Sequence, residues 1–334
     1  MSLVLGVDAG GTSTRAVVAT AAGVPLGSGR AEGGNPAAQG IPLACANIAQ
    51  AVSAALRGED PARVTAVTVG LAGSGVLQHP QAREAFDAAF RSVGVTAAPH
   101  VLGDVVVAFA AGTAEPAGTV VLSGTGAICA RIADREEMAI ADGFGWQLGD
   151  EGSGFWVGRA AAKAVVRHLA RGASASTPLT GLVVEHLLGD QPPVVATGRD
   201  LADLVCGAVQ AGPPVALAAL APLVARASLA GDPMAVVIVE EAAARLVASA
   251  CEVRDLSDDS PIVLAGSVLT TPGPFQDAVR ARLDEMWRSP VSAALDGASA
   301  AAWLAACEAF ALAEAEARSL HAALVRPRTL PPIG

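Results

Sequence analysis

The sequence contains no tyrosine, and Lys163 is the only lysine among its 22 lysine and arginine residues. A phosphate-binding loop of the form GxxxxGK[ST] needs a lysine directly after a glycine, whereas Lys163 follows three alanines. The strand lysine of protein kinases also has no counterpart in a VAIK-like setting. The sequence therefore excludes both of these lysine-dependent modes of nucleotide binding.

Paired metal-binding residues are absent as well. The five cysteines are scattered without a CxxC spacing, and the five histidines form no HxH or HxxxH pair. This pattern argues against a zinc or redox site and predicts free thiols in a reducing cytoplasm. The net charge of -10 and the pI of about 5.0 predict that neither nucleic acid nor an anionic membrane is a partner.

The strongest candidate for a membrane span is the uncharged stretch from Leu204 to Ala225. It contains Pro213, Pro214 and Pro222, which favour buried helices of a soluble protein over a span. No basic segment precedes the first apolar run, and Asp8 interrupts that run, so a signal peptide is not predicted. We therefore expect a cytoplasmic protein.

The chain of 334 residues favours two domains. Leu3 to Val7 and Arg15 to Thr20 read as strands joined by a glycine turn, so the chain runs from strand into strand. A dinucleotide-binding fingerprint runs from a strand into a helix and is excluded. The pattern restarts at Thr119, which suggests an internal duplication. The predicted domains are residues 1–114, with a C-terminal helix 298–318 folding back on them, and residues 115–297, with a helical insertion at 155–251.

Two glycine turns carry the first candidate chemistry. Glycines let backbone N–H groups approach an anion, hydroxyls add donors, and a carboxylate at a strand end can hold a hydrated Mg2+ that screens phosphate. Asp8 is the predicted metal-binding carboxylate, and an ordinary hairpin with Asp8 as a turn residue is the alternative. The predicted nucleotide-binding residues are Gly10, Gly11, Thr12, Ser13 and Thr14 in the first turn and Ser123, Gly124, Thr125 and Gly126 in the second.

Both turns resemble the phosphate motifs of the superfamily that contains sugar kinases, actin and heat-shock-type chaperone ATPases. The segment Val263-Leu-Ala-Gly-Ser267 resembles its adenosine motif, with Gly266 alone where two adjacent glycines are usual. The resemblance implies an α/β protein with the two-lobe actin-like ATPase fold, built from duplicated ribonuclease-H-like domains whose mixed sheets are flanked by helices. It also implies ATP and Mg2+ as cofactors, with Mg-ATP held between the two turns.

The segment from Asp142 to Trp156 narrows the resemblance to the N-acetylglucosamine kinase and BadF-type ATPase family, and most closely to glucosamine kinases of actinobacteria. Carboxylates can take hydroxyl protons of a sugar, and aromatic rings pack on its CH faces. Capping of the following helix is the alternative for the acidic residues. The predicted substrate-binding residues are Asn35, Asp104, Gly143, Trp146, Asp150 and Glu151.

Asp104 follows a short strand and precedes an apolar run, where an aspartate is expected as a helix N-cap. By resemblance it corresponds to the catalytic base that takes the proton of the sugar 6-hydroxyl. Asn35 matches a sugar-contacting asparagine by resemblance, and a turn-forming asparagine before proline is its alternative.

The sequence thus predicts a kinase that uses ATP to phosphorylate the 6-hydroxyl of glucosamine. An ammonium group would gain from the acidic residues Asp142, Asp150 and Glu151, whereas an acetamide would favour an apolar recess. An N-acetylglucosamine kinase is the alternative, and a non-catalytic sugar or ATP sensor and a dehydratase-activating ATPase are alternatives of another class. The expected partners are an amino sugar and ATP, and a homodimer is one option for assembly.

Overall fold

The computed structural model describes residues 2–172 and 177–326. Within these residues ten strands form two five-stranded sheets. The strands are β1 (Leu3–Ala9), β2 (Ser13–Thr20), β3 (Pro25–Glu32), β4 (Val64–Leu71), β5 (Pro99–Gly103), β6 (Gly118–Ser123), β7 (Ala127–Ala133), β8 (Glu136–Asp142), β9 (Ile262–Ala265) and β10 (Val291–Ala293).

The described residues also form thirteen α-helices. The helices are α1 (Pro36–Gln39), α2 (Ile41–Ala55), α3 (Pro80–Ser92), α4 (Asp104–Ala110), α5 (Gly154–Ala170), α6 (Pro178–Leu188), α7 (Gly198–Ala211), α8 (Ala221–Leu229), α9 (Pro233–Val253), α10 (Ser267–Thr270), α11 (Pro274–Met286), α12 (Gly297–Phe310) and α13 (Glu314–Leu324). Short 3-10 helices cover Pro61–Arg63, Ser74–Gln78 and Pro214–Leu220.

The strand order is the same in both sheets. The first sheet has the order β3-β2-β1-β4-β5, with β1 antiparallel to β2 and parallel to β4. The second sheet has the order β8-β7-β6-β9-β10, which repeats this arrangement when its strands are counted from β6. The α/β fold with two mixed sheets flanked by helices is therefore confirmed, and the repeated order supports a duplication.

The described residues divide into two compact units. Unit 1 contains residues 2–120, 132–138 and 292–326, and unit 2 contains residues 121–131, 139–172 and 177–291. In unit 1 the core is formed by apolar side chains of β1, β2, β4, α2 and α3. In unit 2 one apolar cluster lies among α5 to α9, and a second lies between the sheet, α9 and α11.

The single helix predicted for residues 298–318 is wrong. The structure ends α12 at Phe310, and Ala311 has a φ of 45° in the left-handed region that interrupts the helix. The indole N–H of Trp303 on α12 donates to the carbonyl oxygen of Ala317 on α13, at 2.7 Å. No glycine or proline marks this break, so the helical pattern of the sequence runs straight through it.

No helix of the described residues is long and apolar enough to cross a membrane. The uncharged stretch singled out in the sequence is divided among α7, the 3-10 helix Pro214–Leu220 and α8. Each of these pieces is short because prolines interrupt the backbone hydrogen bonding of a longer helix.

Gly6 lets α12 pack directly on β1. A Cβ atom at this position would overlap the backbone nitrogen of Ala302 and the carbonyl oxygen of Ala298. We expect Gly6→Ala to lower the free energy of unfolding by roughly 1–3 kcal/mol, because the backbone of α12 leaves no room for a methyl group. Denaturant unfolding measures this loss. Gly207→Ala, at an open position of α7, is the control and should stabilise slightly; equal stabilities of the two variants would contradict this packing.

Candidate active site

Asp8 lies near the end of β1, paired with Arg15 of β2. The pKa of Asp8 is raised from 3.8 to about 6, mainly because the carboxyl is buried; the Asp104 and Asp296 carboxylates contribute to this increase, and the Arg15 guanidinium opposes it. Both neighbouring carboxylates therefore interact electrostatically with Asp8. Such concentrated negative charge is an environment in which a divalent cation is stabilised.

Asp296 is a member of this cluster that sequence reasoning missed. It directly precedes α12, and its Oδ2 accepts a hydrogen bond from the Ser299 hydroxyl at 2.5 Å. A Cβ atom on Gly297 would lie 2.5 Å from Oδ2 of Asp8, so a glycine is needed where α12 begins. The sequence feature that marks Asp296 is an Asp-Gly dipeptide before an alanine-rich helix. Nothing in the neighbouring sequence indicates that Asp296 would lie beside Asp8.

The first glycine turn connects β1 with β2. The Gly10 N–H donates to the Ser13 carbonyl oxygen at 3.1 Å, and the Gly34 N–H donates to the Gly10 carbonyl oxygen at 3.0 Å. Gly11 and Thr12 are exposed at the tip of the turn. The turn is thus held from behind while its tip is open to a ligand.

Thr14 is the exception among the residues predicted for this turn. It is fully buried in β2, and its hydroxyl donates to the Glu32 carbonyl oxygen of β3 at 2.8 Å. Side chains alternate between the two faces of a strand, so Ser13 remains partly exposed while Thr14 faces the interior. Thr14 supports the strand pairing, and its side chain is not presented to a ligand.

Asn35 caps α1. Its Oδ1 accepts hydrogen bonds from the backbone N–H groups of Ala37 at 2.8 Å and Ala38 at 3.3 Å. The alternative interpretation, a turn-forming asparagine before proline, is therefore correct for the side-chain carbonyl oxygen, because that oxygen binds backbone N–H groups. Its Nδ2 amide is the group left to donate to a ligand.

Asp104 is the first residue of α4, and Gly103 occupies the N-cap position that the alternative interpretation gave to Asp104. Burial raises the pKa of Asp104, and the nearby Glu137 carboxylate also raises it, whereas hydrogen bonds from the backbone N–H groups of Val105 and Asp104 lower it. A carboxylate with a raised pKa is a stronger base. The same side chain therefore supports the helix start and has the electrostatics of a proton acceptor.

The second glycine turn connects β6 with β7 in unit 2. The Gly124 N–H donates to the Gly126 carbonyl oxygen at 2.9 Å. Ser123 is fully buried, and its hydroxyl donates to the Gly152 carbonyl oxygen at 3.0 Å, so its side chain is engaged within the protein. Thr125 is exposed at the tip. The backbone of this turn and Thr125 are the groups open to a ligand.

Gly266 packs against the second turn. It has a φ of 80°, and a Cβ atom here would overlap the Ser123 carbonyl oxygen. A single glycine therefore suffices for the close approach of α10 to this turn, and Ala265 before it is a buried strand residue.

Asp142 organises the acidic loop that follows β8. Its carboxylate accepts hydrogen bonds from the backbone N–H groups of Gly143, Asp150 and Glu151 at 2.8, 2.7 and 2.6 Å. It is 8% exposed. The expectation that Asp142 helps to bind a substrate ammonium is wrong, because these three donors engage its carboxylate inside the loop.

Asp150 joins this loop to the second glycine turn. Its Oδ1 accepts a hydrogen bond from the Ala127 N–H at 3.1 Å, and a Cβ atom on Gly126 would lie 2.8 Å from the same oxygen. Burial raises the pKa of Asp150, and the Asp142 carboxylate adds to this, against the lowering effect of the Ala127 hydrogen bond. Its Oδ2 is the carboxylate oxygen without this bond.

Glu151 forms an ion pair with Arg245 of α9, whose guanidinium lies 4.8 Å from the centre of the Trp156 ring. The N-cap of α5 is Ser153, whose hydroxyl accepts the Trp156 N–H at 3.1 Å. Capping by Asp150 or Glu151 is therefore wrong. Sequence reasoning missed Arg245, because an arginine within a long helix gives no indication of the loop that it contacts.

Aromatic residues of the loop are exposed. Phe144 is 68% exposed and Trp146 is 39% exposed, with the Trp146 ring 5.4 Å from the Phe155 ring. Gly143 has a φ of 76°, and a Cβ atom there would lie 2.8 Å from Ile128 Cδ1. Gly143 thus shapes the loop, and Trp146 and Phe144 present apolar surface to solvent.

Unit 2 also contains a cavity of about 240 Å³ that begins at the second glycine turn. Most of its lining is apolar or backbone, which suits a flat aromatic ligand. The lining residues are Gly124, Thr125, Gly154, Ala218, Ala221, Pro222, Ala225, Leu229, Ser267, Val268, Thr271, Pro272, Gly273, Pro274 and Phe275.

Comparison with known proteins assigns the family. The model of the BadF/BadG/BcrA/BcrD ATPase family matches residues 5–305. The chain belongs to this family. The resemblance to the N-acetylglucosamine kinase and BadF-type ATPase family, inferred from the two turns and the acidic loop, is thereby confirmed.

Several relatives of this BadF-type chain are similar over part or all of its length. An N-acetylmuramic acid/N-acetylglucosamine kinase of Clostridium acetobutylicum is 31% identical over 110 residues, which span 33% of this chain and about a third (35%) of that relative. The structure of a candidate N-acetylglucosamine kinase from Chromobacterium violaceum is 26% identical, with a TM-score of 0.70, covering 91% of this chain and 99% of that one.

A ROK family glucokinase from Streptomyces griseus, solved with glucose and AMPPNP, has a TM-score of 0.53 at 22% identity and covers 92% of this chain and 99% of that one. This likeness shows the fold alone. Together with the Chromobacterium structure it confirms the actin-like ATPase fold of the BadF-type chain.

Membership of an ATPase family implies ATP as a ligand, and the first turn offers suitable chemistry for the accompanying Mg2+. Mg2+ prefers oxygen ligands and retains several waters, so one carboxylate together with substrate phosphates is a typical protein contribution. Asp8 supplies such a carboxylate beside exposed backbone at Gly11 and Thr12. In residues 2–172 and 177–326 no three side chains of the metal-binding types lie close enough to hold a metal ion by themselves, so Asp8, Asp104 and Asp296 interact electrostatically without forming a three-carboxylate metal site.

Replacing Asp142 should release the acidic loop of the BadF-type chain. We expect Asp142→Ala to reduce the free energy of unfolding by about 2–4 kcal/mol, because three N–H groups lose a charged acceptor. Hydrogen exchange of the Gly143, Asp150 and Glu151 amides should accelerate by at least about tenfold. Asp142→Asn, which keeps one acceptor oxygen, should have a smaller effect. Unchanged protection in the alanine variant would show that other contacts hold the loop.

Proposed function

We propose that this chain is a sugar kinase of the N-acetylglucosamine kinase type that transfers the γ-phosphoryl group of ATP to the 6-hydroxyl of an amino sugar. The observation that carries the proposal is Asp104, a partly buried residue whose carboxyl has a raised pKa and interacts electrostatically with the metal-binding candidate Asp8. The family match and the kinase relatives support it.

In the proposed reaction, Asp104 accepts the hydroxyl proton as the sugar oxygen bonds to the γ-phosphorus and the bond to the ADP oxygen breaks. Phosphoryl transfer depends mainly on alignment and on neutralisation of charge. Backbone N–H groups at the exposed tips of the turns, at Gly11 and Thr12 in the first and at Thr125 in the second, would bind phosphate oxygens, so no lysine is needed. Asp8 would hold the hydrated Mg2+, which neutralises phosphate charge when bound.

Glucosamine is our preferred substrate, and N-acetylglucosamine is the second candidate. The Oδ2 atom of Asp150 supports the ammonium of glucosamine, since Asp142 and Glu151 are engaged elsewhere. The exposed rings of Phe144 and Trp146 favour the acetyl group instead. The resemblance to actinobacterial glucosamine kinases decides our preference.

A coupled assay of ADP formation across amino sugars and plain hexoses tests this choice. We expect kcat/KM for glucosamine to exceed that for N-acetylglucosamine by about ten- to a hundredfold, the value of one charge-assisted hydrogen bond. Asp150→Asn should lower kcat/KM for glucosamine more than it lowers kcat/KM for N-acetylglucosamine. Equal or better use of N-acetylglucosamine would overturn the preference for glucosamine. If none of the sugars in the panel supports ADP formation, the kinase proposal is overturned.

A further inference from the structure

The cavity in unit 2 contains few polar groups that can distinguish one nucleobase from another. Adenine and guanine differ at positions 1, 2 and 6, where one base has a donor and the other an acceptor or nothing. To reject the wrong base, a site must direct a group of fixed donor or acceptor character at these positions. The cavity lining includes no charged side chain and no side-chain amide.

Carbonyl oxygens at the turn end of the cavity already accept hydrogen bonds within the protein. The Gly124 carbonyl accepts the Gly154 N–H at 2.8 Å, and the Thr125 carbonyl accepts the Phe155 N–H at 3.2 Å. These acceptors therefore have a reduced capacity to bind the exocyclic amino group of adenine.

Two polar groups at the opposite end are also engaged within the protein. The Thr271 hydroxyl donates to the Ser267 carbonyl oxygen at 2.7 Å, and the Gly273 carbonyl accepts the Asp277 N–H at 3.0 Å. Among the described residues, the lining hydroxyls without a protein partner are those of Thr125 and Ser267. A hydroxyl rotates to donate or to accept, so it satisfies an amino group and a keto oxygen equally well.

We infer that this kinase selects its phosphoryl donor by the shape of a purine and not by its hydrogen-bonding pattern, so that GTP and ITP serve beside ATP. The inference rests on the proposed function, in which this cavity holds the base. We expect kcat/KM for GTP and ITP to lie within about tenfold of the value for ATP. The smaller bases of CTP and UTP fill less of an apolar cavity, and we expect them to be roughly ten- to a hundredfold poorer.

The test measures sugar phosphorylation at saturating amino sugar with each of the five nucleotides, together with calorimetric binding of ATP and GTP to the sugar-free protein. Similar constants for ATP and GTP in both measurements support the inference. A preference for ATP over GTP of more than about a hundredfold overturns it while leaving the kinase proposal intact. If both nucleotides bind but no sugar is phosphorylated, the proposed function fails while the base tolerance stands.

A matched pair of variants tests whether the base occupies this cavity. Ala218 lines the cavity, whereas its neighbour Ala219 is exposed and outside it. We expect Ala218→Leu to weaken ATP and GTP binding in parallel by at least about tenfold, and Ala219→Leu to leave both unchanged. Ala225→Leu, from another helix of the lining, should repeat the effect. Equal binding by all variants would overturn the placement, and loss of ATP binding alone would overturn the shape-based selection.

Discussion

Asp104→Asn should lower kcat by about two to four orders of magnitude, the usual loss when a positioned general base is removed. Asparagine has nearly the same shape and keeps an acceptor for the N–H groups at the start of α4, but it cannot take a proton. Sugar and ATP binding should therefore remain within about threefold of wild type, because the loss concerns the transition state. Steady-state kinetics and calorimetric binding on the same preparation separate these two effects.

Glu137→Gln provides the matched control for Asp104. The Glu137 carboxylate raises the pKa of Asp104, so its neutralisation should lower that pKa. A base works only in its ionised form, and the acid limb of the rate profile should therefore move to lower pH while the maximal rate is largely kept. Turnover of Asp104→Asn near the wild-type value would instead show that Asp104 only supports the helix.

Asp8→Asn should raise the Mg2+ concentration for half-maximal rate by about ten- to a hundredfold, the span for losing a carboxylate that orients a metal-bound group. The same change should stabilise the metal-free protein. Below pH 3.8 the Asp8 carboxyl is protonated in both folded and unfolded states, and from pH 3.8 to 6 the folded state retains its proton while the unfolded state loses it. The stabilising contribution of protonated Asp8 is thus lost as the pH rises through about 6.

Denaturant unfolding in the presence of EDTA, from pH 4 to 8, measures this second effect. The stability of Asp8→Asn relative to wild type should increase across the interval from pH 4 to 6 and reach an advantage on the order of 2 kcal/mol. An unchanged Mg2+ dependence would contradict the metal assignment. A difference in stability that does not vary with pH would contradict the raised pKa of Asp8.

Local patterns were sufficient for much of the fold. The glycine turns lie between strands because two apolar runs of strand length joined by a short glycine-rich turn favour a hairpin, and both turns occur where the sequence predicts them. The edge strand β8 was not predicted. Five of its seven residues are exposed, and its apolar residues form one short run, Met138 to Ala141, without the apolar-polar alternation by which a half-buried strand is recognised.

The roles of individual acidic residues were harder to predict. The sequence does not distinguish the roles of Asp142, Asp150 and Glu151. In the structure Asp142 accepts hydrogen bonds from three loop amides, Asp150 accepts one from the second glycine turn, and Glu151 forms an ion pair with Arg245. Composition shows that carboxylates are present in a loop. It cannot show which donors have already engaged them, because the amides that bind Asp142 depend on the folded shape of the loop, and the partners of Asp150 and Glu151 lie 23 and 94 residues away in the chain.

The sequence by itself determined the duplicated strand-turn-strand pattern, the absence of a lysine-based phosphate loop and the positions of the two glycine turns, since each depends on residues that are neighbours in the chain. Only the tertiary structure decided that Asp296 interacts electrostatically with Asp8 and that Arg245 forms an ion pair with Glu151. It also decided that apolar residues of α8, the preceding 3-10 helix and α11 line a cavity beside the second turn. These contacts join elements far apart in the chain, and packing of the whole domain brings them together.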